Sequence, residues 1–323
     1  MKENAGSFIP EKVGRHRCLL GEGPVWDEVH HAIHWIDVLR GDIHEYNFIT
    51  GVEKTISVGE MVGSIAFCTD GNFIAGLEKG IHFVDRASGV KQHIASPERH
   101  LPDNRSNDGK VDPAGRFWLG TMAKTETAHA GALYMVDKNL KVMQKISGTT
   151  ISNGMAWSPD KKQFYFIDSS TRGVDAFDYE DATGEISNKR LAISFSEADG
   201  FPDGMTIDSE GMLWIAQWDG WQISRWNPLT GEKLLAVHLP VSRPTCCIFG
   251  GEQLSDLFIT TASTGLSPEE MKRQSEAGAL FVIRNTGFRG LPANKFEVYK
   301  YEKTIQPYCF VFFFSVSRTA KTI

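Results

Sequence analysis

The sequence predicts an all-β chain folded as a six-bladed β-propeller. A phrase that recurs along the chain predicts it, together with the turn chemistry that follows each recurrence. "ISNGMAWSPD" at 151–160 and "FPDGMTIDSEG" at 201–211 put Asn153 and Asp203 at equivalent points, each just before a glycine. Self-similarity at a fixed period marks an architecture made of repeated supersecondary units. Counting four residues from an opening position to an apolar one gives Glu22…Trp26, Gly63…Phe67, Asn107…Val111, Asn153…Trp157, Asp203…Ile207 and Thr245…Phe249. Turn residues follow in the clear cases: Asp70-Gly71, Pro113-Ala114-Gly115, Ser158-Pro159-Asp160, Ser209-Glu210-Gly211 and Gly250-Gly251.

Each element of a blade can be read in order. After the first turn come apolar or aromatic strands, "AIHWIDV", "FIAGL", "FWLGTM", "FYFIDS", "LWIAQW" and "LFITTA". A third strand leads into the next turn, as in "HEYNFITGV" and "ISRWNPLTGE". Opening positions recur at roughly 40 to 50 residues, the period of a four-stranded blade. No convincing amphipathic helix lies between them, and the WD dipeptide and Gly-His signatures are missing. A lone four-stranded sheet has two apolar faces to cover, so the blades must pack around an axis. The segment "EKVGRHRCLL" before Glu22 is expected to complete the last blade and close the ring. Residues 1–300 therefore read as one propeller domain, and 301–323, with the aromatic run "CFVFFFSVS", as an irregular tail.

Composition limits the partners. The chain is 41% hydrophobic and 23% charged with a net charge of -6, as in a globular domain with a sizeable core and no basic face for nucleic acid or an anionic membrane. No apolar run approaches the roughly 20 residues of a membrane span, and the N-terminus lacks a signal-like apolar stretch, so a cytoplasmic location is expected. Five cysteines at irregular spacing, two of them adjacent, suit neither a disulfide framework nor a zinc site and read as reduced thiols. "HHAIH" (His30, His31, His34) reads as surface histidines of a hairpin. A monomer or weak homo-oligomer is expected.

The innermost strand of each blade lines the central channel, so the opening residues form a ring at one mouth: Glu22, Gly63, Asn107, Asn153, Asp203 and Thr245. Two carboxylates and two carboxamides face a common centre with no cation among them, and buried unpaired charge is costly. A divalent metal is the natural compensator, because hard cations prefer this inventory of oxygens. Asn153 and Asp203 then look like ligands of one ion, repeated because the scaffold repeats.

"GEGPVWDE", "NRSNDGKVDPAGRFWLGTM", "ISNGMAWSPD", "VDAFDYEDATGEISNKR", "FPDGMTIDSEGMLWIA" and "CIFGG" resemble the SMP-30/gluconolactonase/luciferin-regenerating family, in order, over residues from roughly 15 to 296. The resemblance implies a six-bladed propeller with one divalent metal (Ca, Zn, Mn, Mg or Fe) and hydrolysis of sugar lactones, a gluconolactonase-type carboxylic ester hydrolase. Carried over residue by residue, it implies metal ligands at Glu22, Asn153 and Asp203, substrate contacts at Arg105 and Asn107, and Asp203 as general base. After "GTMA" mammalian members carry an acidic pair where this chain has Lys124-Thr125, which bears on the sugar preference. The polar loop 123–131 is expected beside the mouth as a candidate lid. Two other functions compete with the lactonase: a Ca-binding regulatory propeller without turnover, and an esterase or phosphotriesterase on non-sugar substrates.

Overall fold

The computed structural model describes residues 8–298. It contains six four-stranded antiparallel sheets. The inner strands are Gly21–Asp27, Val62–Phe67, Asn104–Val111, Ser152–Trp157, Phe201–Ile207 and Pro244–Gly250, and they define blades 1 to 6 in chain order. Each touches the inner strand of the next blade, and blade 6 touches blade 1, so the ring is closed. Closure uses the N-terminal segment as expected. Glu11–Val13 pairs with Leu280–Ile283 as the outermost strand of blade 6, in the register Glu11↔Val282.

Alternation along the strands explains why blades stack. Six apolar clusters form, one at each blade-to-blade interface. Between blades 3 and 4, for instance, Trp118, Leu133 and Met135 meet Met155, Trp157 and Phe164. Between blades 6 and 1, Phe258 and Val282 meet Trp26, Ile33 and Trp35. Burying these side chains contributes about 1.5–3 kcal/mol each before chain entropy is counted, so the interfaces, not the single sheets, hold the ring. Among the described residues the only α-helix is the short Pro268–Arg273, capped by Ser267.

The feature that creates the site is a break in register at the same place in every inner strand. Pairing skips between Glu22 and Val25, Val62 and Ser64, Ser106 and Gly109, Ser152 and Met155, Pro202 and Met205, and Pro244 and Cys246. A β-bulge leaves residues unpaired and re-aims their side chains. The bulges hold Gly63, Asn107, Asn153, Asp203 and Thr245, and Glu22 stands at the edge of the sixth. The repeat seen in the sequence is thus a repeat of bulges. Glycine at 63 has a steric cause: a Cβ there would lie 2.5 Å from the Ser106 carbonyl oxygen of blade 3. A Cβ at Gly154 would lie 2.7 Å from the Asp203 carbonyl oxygen.

One expectation is corrected. His34 is not on the surface; it is 2% exposed, between Phe67 and Phe73, and its Nε2 accepts from Arg86 at 3.0 Å. It follows the hairpin turn by enough residues to fall on the buried face of Ala32–Asp37. Burial, with the Arg86 charge, lowers its pKa to about 4. The four described cysteines are buried and unpaired, as free thiols would be. No helix among the described residues is long and apolar enough to cross a membrane. The aromatic run at 309–317 lies outside the described residues.

Candidate functional site

Four of the six ring residues line one cavity of about 800 Å³ at the channel mouth: Glu22, Asn107, Asn153 and Asp203. Arg105, Lys124 and Glu126 share its wall. The other two ring residues do not. Gly63 has no side chain, and Thr245 turns away to donate from Oγ1 to the Gly21 carbonyl at 2.5 Å, tying blade 6 to blade 1.

Arg105, Asn107 and Asn153 are held by a continuous hydrogen-bond chain. Arg105 Nη1 donates to Asn107 Oδ1 at 2.7 Å and to the Ser106 carbonyl at 2.8 Å. Asn107 Nδ2 donates to Asn153 Oδ1 at 3.1 Å and to the Ser152 carbonyl at 2.9 Å. Asn153 Nδ2 donates to Ser169 Oγ at 2.8 Å, and Ser169 in turn donates to the Pro202 carbonyl at 2.6 Å. Ser169 therefore fixes which face of the Asn153 carboxamide looks into the cavity, and it anchors the residue before Asp203.

The carboxylates are poorly compensated. Burial pushes the Glu22 carboxyl well above its ordinary 4.5, and the nearby Asp203 and Asp108 charges push it further. Asp203 rises well above 3.8 from burial and then from Asp108, against the Gly204 N–H, Arg105 and Asn153. Burial also lowers the Arg105 guanidinium, while Glu22, Glu126 and Asp203 act to keep it charged. Arg105 thus stands beside the ring with its Nη1 already occupied by neighbours, while Lys124 and Arg243, which line the same cavity, are paired with Glu78 and Asp219.

Asp108 was missed by counting one opening residue per repeat. The bulge in blade 3 holds two residues, Asn107 and Asp108, where blades 4 and 5 have Asn153-Gly154 and Asp203-Gly204. Asp108 therefore replaces a glycine of the repeat, and that substitution was the available signal. Its Oδ1 accepts from the Gly109 N–H at 2.7 Å, while Oδ2 is buried with no hydrogen-bond partner. Lys110 is the one cation acting on it. Lys110 Nζ donates to the Met205 carbonyl at 2.7 Å, so it reaches across the channel from blade 3 to blade 5, past blade 4. Asp108 and Lys110 line a second cavity, about 400 Å³, at the far end of the inner strands.

Two carboxylates and a carboxamide aimed into one cavity could hold a hard divalent cation, which would relieve the repulsion between Glu22 and Asp203. Among the described residues no three His, Cys, Asp or Glu side chains form a metal cage by themselves. The candidate set differs in relying on an amide oxygen. In the 123–131 loop, Lys124 pairs with Glu78, and Glu126 takes a positive φ of 55° on the cavity wall.

A six-bladed propeller with an oxygen-lined cavity at one mouth defines the class. The chain belongs to the SMP-30/gluconolactonase/LRE-like family, whose description matches residues 20–263. It is 38% identical to the regucalcin of Gallus gallus over 291 residues, 88% of this chain and 97% of the relative. Among solved structures, a luciferin-regenerating enzyme is similar at 31% identity with a TM-score of 0.85, covering 90% of this chain and 100% of that one. A calcium-binding protein, regucalcin, from Agrobacterium tumefaciens superposes with a TM-score of 0.86 at 27% identity, covering 90% and 98%.

Proposed function

We propose that this chain is a divalent-metal-dependent lactonase that hydrolyses sugar lactones to aldonic acids, with Glu22, Asn153 and Asp203 as metal ligands. The observation that supports the reading most is the buried, mutually repelling pair Glu22 and Asp203 beside an amide oxygen in an open cavity of about 800 Å³. A purely structural site would not keep such a pair uncompensated. The cation, when bound, supplies Lewis acidity that polarises the lactone carbonyl and lowers the pKa of water.

The chain's own residues supply the rest. Asp203 orients the attacking water and accepts its proton. Asn107 offers an amide to the substrate without adding charge. Arg105 presents fixed N–H donors to ring hydroxyls and to the product carboxylate. Lys124 and Glu126, on the same wall, offer a donor and an acceptor, and Lys124-Thr125 stands where mammalian members carry an acidic pair, which favours a sugar preference different from theirs.

The Agrobacterium relative is described as calcium-binding, and that favours a second reading, a cation-binding regulator without turnover. Two carboxylates are few for tight Ca²⁺ binding, and the roomy cavity favours catalysis. The test is acid release from D-glucono-1,5-lactone by chelated protein, with and without Mn²⁺, Zn²⁺, Ca²⁺, Mg²⁺ or Fe²⁺, after subtracting spontaneous opening. Metal-restored turnover is expected. Failure with every metal on glucono-, galactono- and xylonolactones would overturn the lactonase reading in favour of the binding one.

A further inference from the structure

Beside the channel-mouth cavity lies another that the proposed chemistry does not use. It holds about 640 Å³, within the range of small-molecule sites, and it is formed between blades 2 and 3 with the connecting residues 96–102 along one side. Arg105 lines both cavities. Glu78, on the wall of this one, pairs with Lys124 on the wall of the other. The two spaces are neighbours, separated by these side chains.

The inner wall of the cavity carries an acceptor already set in place. Glu98 Oε1 accepts from Thr121 Oγ1 at 2.9 Å and from the Tyr134 hydroxyl at 3.1 Å. Glu98 Oε2 accepts from Asn104 Nδ2 at 2.9 Å. These bonds fix the carboxylate, yet none comes from a cation, and Oε2 keeps a lone pair for one further donor. Ser106 is the direct partner of Thr121 in the antiparallel register, so both side chains project to this face of blade 3. Ser106 is 4% exposed and its Oγ has no hydrogen-bond partner, so the fold does not use all the polar groups of this wall.

The rim is charged the other way. Lys79 and Arg99 line it and are exposed, and among the described residues neither side chain forms an ion pair. Leu77, Leu101 and Leu119 supply apolar surface between rim and wall. A fixed acceptor inside and two unpaired cations outside suit a ligand with hydroxyls at one end and a negative charge at the other. We propose that this cavity is a second ligand site, separate from the channel mouth, for a polyhydroxylated carboxylate of the open-chain aldonate class. A ligand hydroxyl donates to Glu98 Oε2, and the ligand carboxylate accepts from Arg99 and Lys79. This chemistry is read from the cavity alone; that the aldonate is the chain's own product rests on the lactonase reading. On that reading the site takes up product beside the centre that makes it.

The test is calorimetric titration of chelated full-length chain with D-gluconate, so that neither turnover nor a bound metal contributes. Acetate, which has the charge without the hydroxyls, and sorbitol, which has the hydroxyls without the charge, are titrated beside it. Gluconate is expected to bind, with acetate and sorbitol each weaker by about tenfold or more. Lys79→Ala combined with Arg99→Ala should weaken gluconate binding by about tenfold or more, since both charged hydrogen bonds are lost. Leu101→Trp, which fills the cavity without changing charge, should weaken it as well. The first variant changes exposed side chains only and keeps the test valid if the second impairs folding.

Absence of gluconate binding would overturn the site. So would binding that neither variant weakens, which would place the ligand at the channel mouth, or binding matched by acetate or by sorbitol. Gluconate binding that depends on Lys79 and Arg99, in a chain that hydrolyses no lactone with any metal, would support the site and defeat the lactonase reading instead.

Discussion

Two sets of buried carboxylates sit at opposite ends of the same inner strands, and they are treated in opposite ways. At the far end, Asp112 and Asp208 follow the strands of blades 3 and 5, at 0% and 1% exposure. Asp208 accepts from Trp214 Nε1 at 3.0 Å, Arg225 Nε at 2.8 Å and the Glu210 and Met212 N–H groups. Asp112 accepts from Arg116 Nε at 2.6 Å, Trp118 Nε1 at 2.9 Å, the Tyr179 hydroxyl at 2.9 Å and two backbone N–H groups. At the cavity mouth Glu22 accepts from the neighbouring Gly23 N–H at 3.0 Å and faces other carboxylates. Buried charge of the first kind is satisfied and structural. The second kind is left for something that arrives from outside.

The comparison can be broken or sharpened by mutation. The largest expected effect is Asp203→Asn, which should lower kcat for a sugar lactone by about a thousandfold or more, read as acid release at constant pH. The same substitution removes an uncompensated buried charge, so the chelated variant should melt at or above the parent temperature. A clear loss of stability with activity retained would reverse the two roles. Next, Asp208→Ala leaves the buried Arg225 with only the exposed Glu210 as a partner and the Trp214 indole N–H without its acceptor, and should cost about 3 kcal/mol of folding stability in a urea titration.

The carboxylates at the mouth also set a pH dependence. Because Glu22 and Asp203 have folded pKa values above their ordinary 4.5 and 3.8, the folded state binds more protons than the unfolded one above that range. Chelated protein should therefore lose stability as pH rises from about 4 toward the raised folded values. Stabilisation by added metal should grow over the same interval, since binding displaces those protons. Thermal melts at stepped pH with chelator or Mn²⁺ would show it, and chelated protein that gained stability across that interval would contradict it.

Smaller effects follow at the cations. Lys110→Met removes the tie between blades 3 and 5 and the one cation acting on Asp108, and it should cost about 2 kcal/mol in the same urea titration. Lys124→Ala breaks a partly exposed pair with Glu78 and should change stability by less than about 1 kcal/mol.

Much of this was legible in the chain because a bulge repeats in sequence as well as in space. An Asn or Asp before glycine in blades 4 and 5 marks the residue the bulge re-aims, so Asn153 and Asp203 could be aligned by counting. Asn107 and Glu22 fell at the same register. Asp108 could not be found by that count, because it takes the second bulge position, where the repeat elsewhere has glycine. Lys110 reaches Met205 across the channel, and no local pattern signals a tie between blades that are not neighbours. His34 misled for a related reason: the cluster "HHAIH" looks polar, yet its last member has already entered the buried face of a strand.

The measurement that tests the central claim most directly is calorimetric titration of chelated protein with Mn²⁺, in the parent and in Glu22→Gln combined with Asp203→Asn. The account predicts one ion bound per chain in the parent, with protons released, and binding lost in the double variant while the fold is kept. Equal binding by both proteins would show that the buried pair at the mouth is not the metal site.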